Sequence, residues 1–167
     1  MSRAFVKESD NEAGDDQPEL PISPHPNYVT QAGLAGLEAR RHALEEQRDG
    51  LKADEGDLGN QSHLAQVERE LRYVEARLNS AILVDPAKQA QDEVAFGAIV
   101  TLEEEEGGRR EIAIVGEDEA DPAAGKVPWP SPLARALTGS QVGDLVTWSR
   151  PAGDLELEVV AIRYPSE

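Results

Sequence analysis

Apolar residues recur at intervals of three and four from Leu34 through Leu37, Leu44 and Leu51, and again from Leu64 through Val67, Leu71, Val74, Leu78 and Ala81. That spacing lines one face of an α-helix, so two helices are predicted, each with a single apolar stripe. Arg41 and Arg48 occupy seam positions of the first stripe, whereas the second runs without interruption. Thr30, just ahead of the first stripe, offers an N-cap hydroxyl. Stripes this narrow provide apolar surface for one partner only, which favours an antiparallel coiled-coil hairpin over a globular bundle. The hairpin is placed over residues 28–84. With arms of roughly 22 to 25 residues it projects about 35 Å at a rise of about 1.5 Å per residue. Its tip is "ADEGDLGNQS", about 53–62, which brings three acids and two glycines together.

Beyond a Pro-containing linker over 85–93 the apolar period shortens. "FGAIVTL" (96–102) and "REIAIVG" (110–116) flank Gly107 and Gly108, a strong β-hairpin signal. In that hairpin the run Glu103 to Glu106 is expected to pair across the strands, Glu106 facing Arg109 and Glu105 facing Arg110. "SPLARALTG" reads as a short helix with Ser131 as N-cap, Pro132 at the first helical position and Gly139 closing it. "DLVTWS" and "LELEVVAIRY" are two further strands, the latter with Leu155, Leu157 and Val159 on one face. Several strands and one short helix make a small α+β domain over 94–167. The predicted fold class is therefore α+β, a coiled-coil hairpin followed by this domain.

Residues 1–27 differ from both regions: they hold Pro18, Pro21, Pro24 and Pro26, and six acids against two basic residues. That composition reads as a disordered tail, the alternative being a short docking segment that uses Phe5 and Val6. Over all 167 residues, 33 acids oppose 16 Lys plus Arg, for a net charge of −17. Phosphate backbones repel such a chain, so stable direct nucleic-acid binding is not expected and a basic protein surface is the better partner. The absence of cysteine removes disulfides, thiolate zinc sites and Cys nucleophiles. No long apolar run supports a signal peptide or a membrane span, and a soluble cytoplasmic monomer is expected. His25, His42 and His63 are too scattered for a metal cluster. "GEDEAD" (116–121) resembles a cation loop but lacks the Ca²⁺-motif spacing and runs into Pro122, so a solvated turn is expected. Trp129 and Trp148 read as core or rim packing. At the tip, Asp57 suits either the N-cap of the second helix or an exposed metal-assisting carboxylate, beside the turn acids Asp54 and Glu55.

The motifs "FGAIVTL", "IVGEDEAD", "SPLARAL", "VGDLV" and "PAGDLELEVVAIRY" stand in the order and spacing seen in bacterial Gre transcript-cleavage factors, and cover nearly all of 94–164. "YVTQAGLAGLEA" resembles the start of the Gre coiled coil and "RLNSAILVD" its exit. The resemblance implies an FKBP-like C-terminal domain that docks on the rim of the RNA polymerase secondary channel, with Ser131 and Pro132 in the docking segment. It also implies that tip acids reach the polymerase active centre and help hold a second magnesium ion, which activates water to cleave backtracked RNA. Carboxylates suit that role because Mg²⁺ takes oxygen ligands, and a two-metal site stabilises both attacking and leaving oxygens. On this reading the chain has no cofactor of its own, shares Mg²⁺ with polymerase, and is not an enzyme alone. The family tip reads GDLKEN; "GDLGNQ" keeps Gly56, Asp57 and Leu58 but has Asn60 where the Glu is expected. Aligning there removes about one heptad from each arm, shortening the reach by about 10 Å, and makes Asp57 the principal candidate. An ungapped alignment puts "DGLKADE" (49–55) at the tip instead, with Asp54 or Glu55 as alternates. Pro130 replaces the acid the family carries before the Ser. Two functions follow: stimulation of transcript cleavage, or regulation of the secondary channel without cleavage.

Overall fold

The computed structural model describes residues 17–54 and 58–165. A short strand β1 (Tyr28–Val29) leads into Thr30, whose extended backbone and hydroxyl, accepting the Gly33 N–H at 2.9 Å, start helix α1 (Gln31–Ala53). Helix α2 (Leu58–Ser80) returns antiparallel to it, and strand β2 (Ile82–Leu83) pairs in parallel with β1 to close the base. Each helix has 23 residues, giving arms about 35 Å long.

Leu37 and Leu44 of α1 are buried against Val67, Leu71 and Val74 of α2, and Leu34, Leu51, Leu78 and Ala81 extend the seam half-buried. Two one-residue-wide stripes are enough because the apolar stripe of each helix packs chiefly against the other. Gly59 to Ser62, part of the predicted tip, are already helical.

The C-terminal domain is a five-stranded sheet in the order β5-β4-β3-β7-β6, built from β3 (Ile99–Glu104), β4 (Arg109–Val115), β5 (Lys126–Pro128), β6 (Leu145–Trp148) and β7 (Leu155–Arg163). Helix α3 (Pro132–Leu137) buries Leu133, Ala134 and Leu137 against Val100, Leu102, Ile112, Ile114 and Leu157 from the sheet. Leu157 and Val159 point into this core as the alternation requires. An extra residue, Val160, then shifts the phase, because Leu102 pairs with Val159 while Thr101 pairs with Ala161, and Ile162 becomes the next core contact.

The register of β3 on β4 corrects one expectation. Glu103, not Glu106, lies opposite Arg109, and the ion pairs are Glu103–Arg109 at 3.5 Å and Glu104–Arg110 at 2.5 Å. Glu105 and Glu106 are exposed in the turn, which closes through the Gly107 N–H donating to Glu104 O at 2.9 Å with Gly107 at φ 90°. The turn uses four residues with one glycine in the left-handed region, rather than two glycines alone.

Strand β5 was not legible in the pattern. It runs parallel to β4, and parallel neighbours need a crossover rather than a tight turn. Residues 116–125 supply it through two 3-10 turns, Glu117–Glu119 and Pro122–Ala124. This detour carries three consecutive acids to the base of the hairpin.

Candidate functional site

The hairpin tip holds the candidate acids. Asp54 ends α1 as its C-cap, is exposed, and accepts a hydrogen bond from Asn60 Nδ2 on its Oδ2 at 3.0 Å. Asn60 therefore bridges the two arms across the turn. The resemblance expects a carboxylate at this position; the geometry gives Asn60 a bond to one of the alternate acids. Helix α2 begins one residue after Asp57. Asp57 itself, and Glu55, lie outside the described residues. Among the described residues, no group of three or more His, Asp or Glu is placed to hold a metal ion.

The base of the hairpin carries a polar cluster that sequence reasoning missed. Arg77, near the end of α2, is buried; its Nε donates to Asp118 Oδ2 at 2.6 Å and its Nη2 to Asn27 Oδ1 at 2.8 Å. Asn27, also buried, donates back to the Arg77 carbonyl at 2.7 Å, satisfying an acceptor that a helix end leaves open. The Tyr73 hydroxyl donates to Asp118 Oδ1 at 2.5 Å, and Thr30 donates to Glu119 Oε1 at 2.5 Å while capping α1. Burial, reinforced by the bond to Asp118, pushes the Tyr73 hydroxyl up to about 12. The expectation that "GEDEAD" is a solvated turn is thus overturned. Glu117, Asp118 and Glu119 are none of them exposed, because the crossover presses them onto α1 and α2. Nothing in the sequence sets Arg77 apart from Arg69 and Arg72 on the same helix.

Residues 17–27 also contribute. Arg72 donates to both Glu19 oxygens at 2.8 and 2.6 Å, holding that carboxyl below its ordinary range. Ser23 donates to Glu117 Oε1 at 3.0 Å, and His25 meets Trp129 edge-on at 5.6 Å between ring centres. This stretch, read from composition as tail, runs along the hairpin base and bridges to the C-terminal domain. Composition argues that a segment cannot build its own core; it does not bar the segment from borrowing polar and aromatic partners elsewhere.

Elsewhere in the C-terminal domain, Ser131 accepts the Ala134 N–H at 3.3 Å and caps α3, with Pro132 exposed at the first helical position. Both line a groove of about 650 Å³ floored by Ile112, Val127 and Leu133 and walled by Trp148. Trp148 carries Arg110 and Arg150 near its ring, at 5.7 and 5.4 Å from the centre.

Residues 88–164 match the family model "Transcription elongation factor, GreA/GreB, C-term". Transcription elongation factor GreB of Neisseria meningitidis serogroup B is 33% identical over 153 residues, an alignment covering 83% of this chain and 94% of that protein. The chain belongs to the GreA/GreB family of transcription elongation factors. Transcription elongation factor GreA of Alkalilimnicola ehrlichii is 47% identical over 100 residues, 59% of this chain and 63% of the relative. Among solved structures, GreA factor homolog 1 (Gfh1) of Thermus thermophilus is 26% identical, over 83% of this chain and 99% of that one, with a TM-score of 0.40. Within the Gre family, then, this chain combines a hairpin of two 23-residue helices with an α+β C-terminal domain. Among the described residues no helix is long and apolar enough to cross a membrane.

Proposed function

We propose that this Gre-family chain is a cytoplasmic monomer that docks on RNA polymerase through its C-terminal domain, enters the secondary channel with its hairpin, and stimulates cleavage of backtracked transcripts. One observation carries the reading: a hairpin with 23 residues per arm has its acids at the free end, while its other end is fastened to a separate folded domain. Such a shape transmits a docking position to a remote tip. Asp57 is the principal tip acid, with Asp54 and Glu55 as alternates; carboxylate oxygens are the donors a hard cation takes. A magnesium ion held jointly with polymerase supplies an activated water for hydrolysis of the phosphodiester. The chain's own part is to deliver and hold the carboxylate, so the isolated protein has no activity. Ser131 and Pro132, beside the groove walled by Trp148, form part of the docking face.

The test is RNA length in stalled, backtracked elongation complexes given Mg²⁺ and the purified protein. Shortening that vanishes with Asp57→Ala is expected. No shortening by the parent protein, with polymerase binding retained, would reject cleavage. A second reading, a secondary-channel regulator or competitor that does not cleave, draws on Asn60, which brings no charge to the tip and occupies an oxygen of Asp54. That reading predicts the latter result.

A further inference from the structure

We infer that Arg77 is a positioning residue: its buried contacts set the direction of the hairpin relative to the C-terminal domain, and so where the tip acids arrive. Arg77 belongs to the hairpin, yet its guanidinium reaches two other pieces of chain. Asp118 at 2.6 Å and Glu117 at 3.6 Å come from the crossover between β4 and β5, and Asn27 at 2.8 Å comes from the segment ahead of β1. Its side chain is 2% exposed, so the charge cannot turn to solvent if these partners move. A guanidinium presents its donors in a fixed planar fork, so satisfying Asp118 and Asn27 together defines an orientation as well as a distance. Replacing a buried ion pair by apolar groups of similar size is often neutral for stability, so what Arg77 contributes is orientation.

A close backbone approach leaves the surrounding interface little slack. A Cβ on Gly116 would stand 2.5 Å from the Tyr28 carbonyl oxygen. The backbone of the C-terminal domain thus abuts that of the hairpin base beside the charged cluster. The leverage is large: a tilt of about 2° at the base moves a tip about 35 Å away by about 1 Å. In a reaction that depends on positioning, a misplacement of that size costs up to about 100-fold.

The functional half of this inference rests on the proposed cleavage role; the geometric half does not. Because the chain lacks cysteine, Cys introduced at the exposed positions Gln47 and Glu156 are unique sites for spin labels, and the distance between them reads the angle between hairpin and domain. The parent should give one narrow distribution. Arg77→Met and Asp118→Asn should each broaden or displace it at unchanged helicity, and should lower the maximal cleavage rate about tenfold with little change in polymerase affinity. Should Arg77→Met not fold, the near-isosteric Asp118→Asn decides. Folded variants with the parent's distribution would overturn the positioning role. A parent protein that does not cleave would instead reject the functional reading, and the distances alone would decide the role of Arg77.

Discussion

Asn60 and Arg77 are the two residues whose roles the structure changes most. Asn60, which the resemblance sets in place of a tip Glu, spans the tip with its amide to Asp54. An amide donor can make that bond, whereas an ionised Glu could only repel the acid opposite. Arg77 lies next to an apolar stripe, where a surface arginine is the ordinary expectation, yet it is fully buried because Asp118 and Asn27 come to it from outside the helix. Tyr73 beside it supplies a pH test. Its hydroxyl is raised from 10.0 to about 12, first by burial and then by its bond to Asp118. A raised value means that the protonated phenol stabilises the folded state fully below pH 10, and that this contribution is lost as pH climbs towards about 12. The urea midpoint should therefore fall across that window in the parent and fall less in Tyr73→Phe.

Among the elements, the hairpin was read most directly. Its stripes name the buried residues Leu37, Leu44, Val67, Leu71 and Val74, since a two-helix seam leaves little freedom in what faces what. Leu71→Ala should cost about 2–5 kcal/mol of stability and lower helicity on urea titration, because a cavity in so thin a seam lies beside most of its core. A loss below the lower limit would indicate that the helices close over the gap. The strands were read with less precision. β3 and β4 were located, but their register depended on whether the turn used two residues or four, and the Gly107–Gly108 pair is compatible with both.

For the whole molecule, the determining feature is the crossover to β5. It delivers Glu117, Asp118 and Glu119 to Arg77, Tyr73 and Thr30, and it brings Gly116 against the Tyr28 carbonyl. Gly116→Ala should therefore act between the domains, not within one. We expect a loss of about 1–3 kcal/mol from overpacking, together with a displaced distance between labels at Gln47 and Glu156. A loss of stability with that distance unchanged would mean that the strain is absorbed inside the C-terminal domain.

The sequence by itself determined the α+β class, the hairpin with its seam, the capped helix α3 and the acidic character of the tip. Each of these depends on neighbours within a few residues or on a strict period. Only the tertiary structure decided the register of β3 on β4, the existence of β5, the course of residues 17–27 and the burial of the acids in "GEDEAD". The first two depend on how a turn and a crossover close, and the last two on partners about 40 to 90 residues away in the chain, such as Asp118 for Arg77 and Glu119 for Thr30. A charged side chain's local pattern is the same whether it faces water or a distant counter-ion, so composition could not distinguish a solvated turn from the joint that holds the hairpin to its domain.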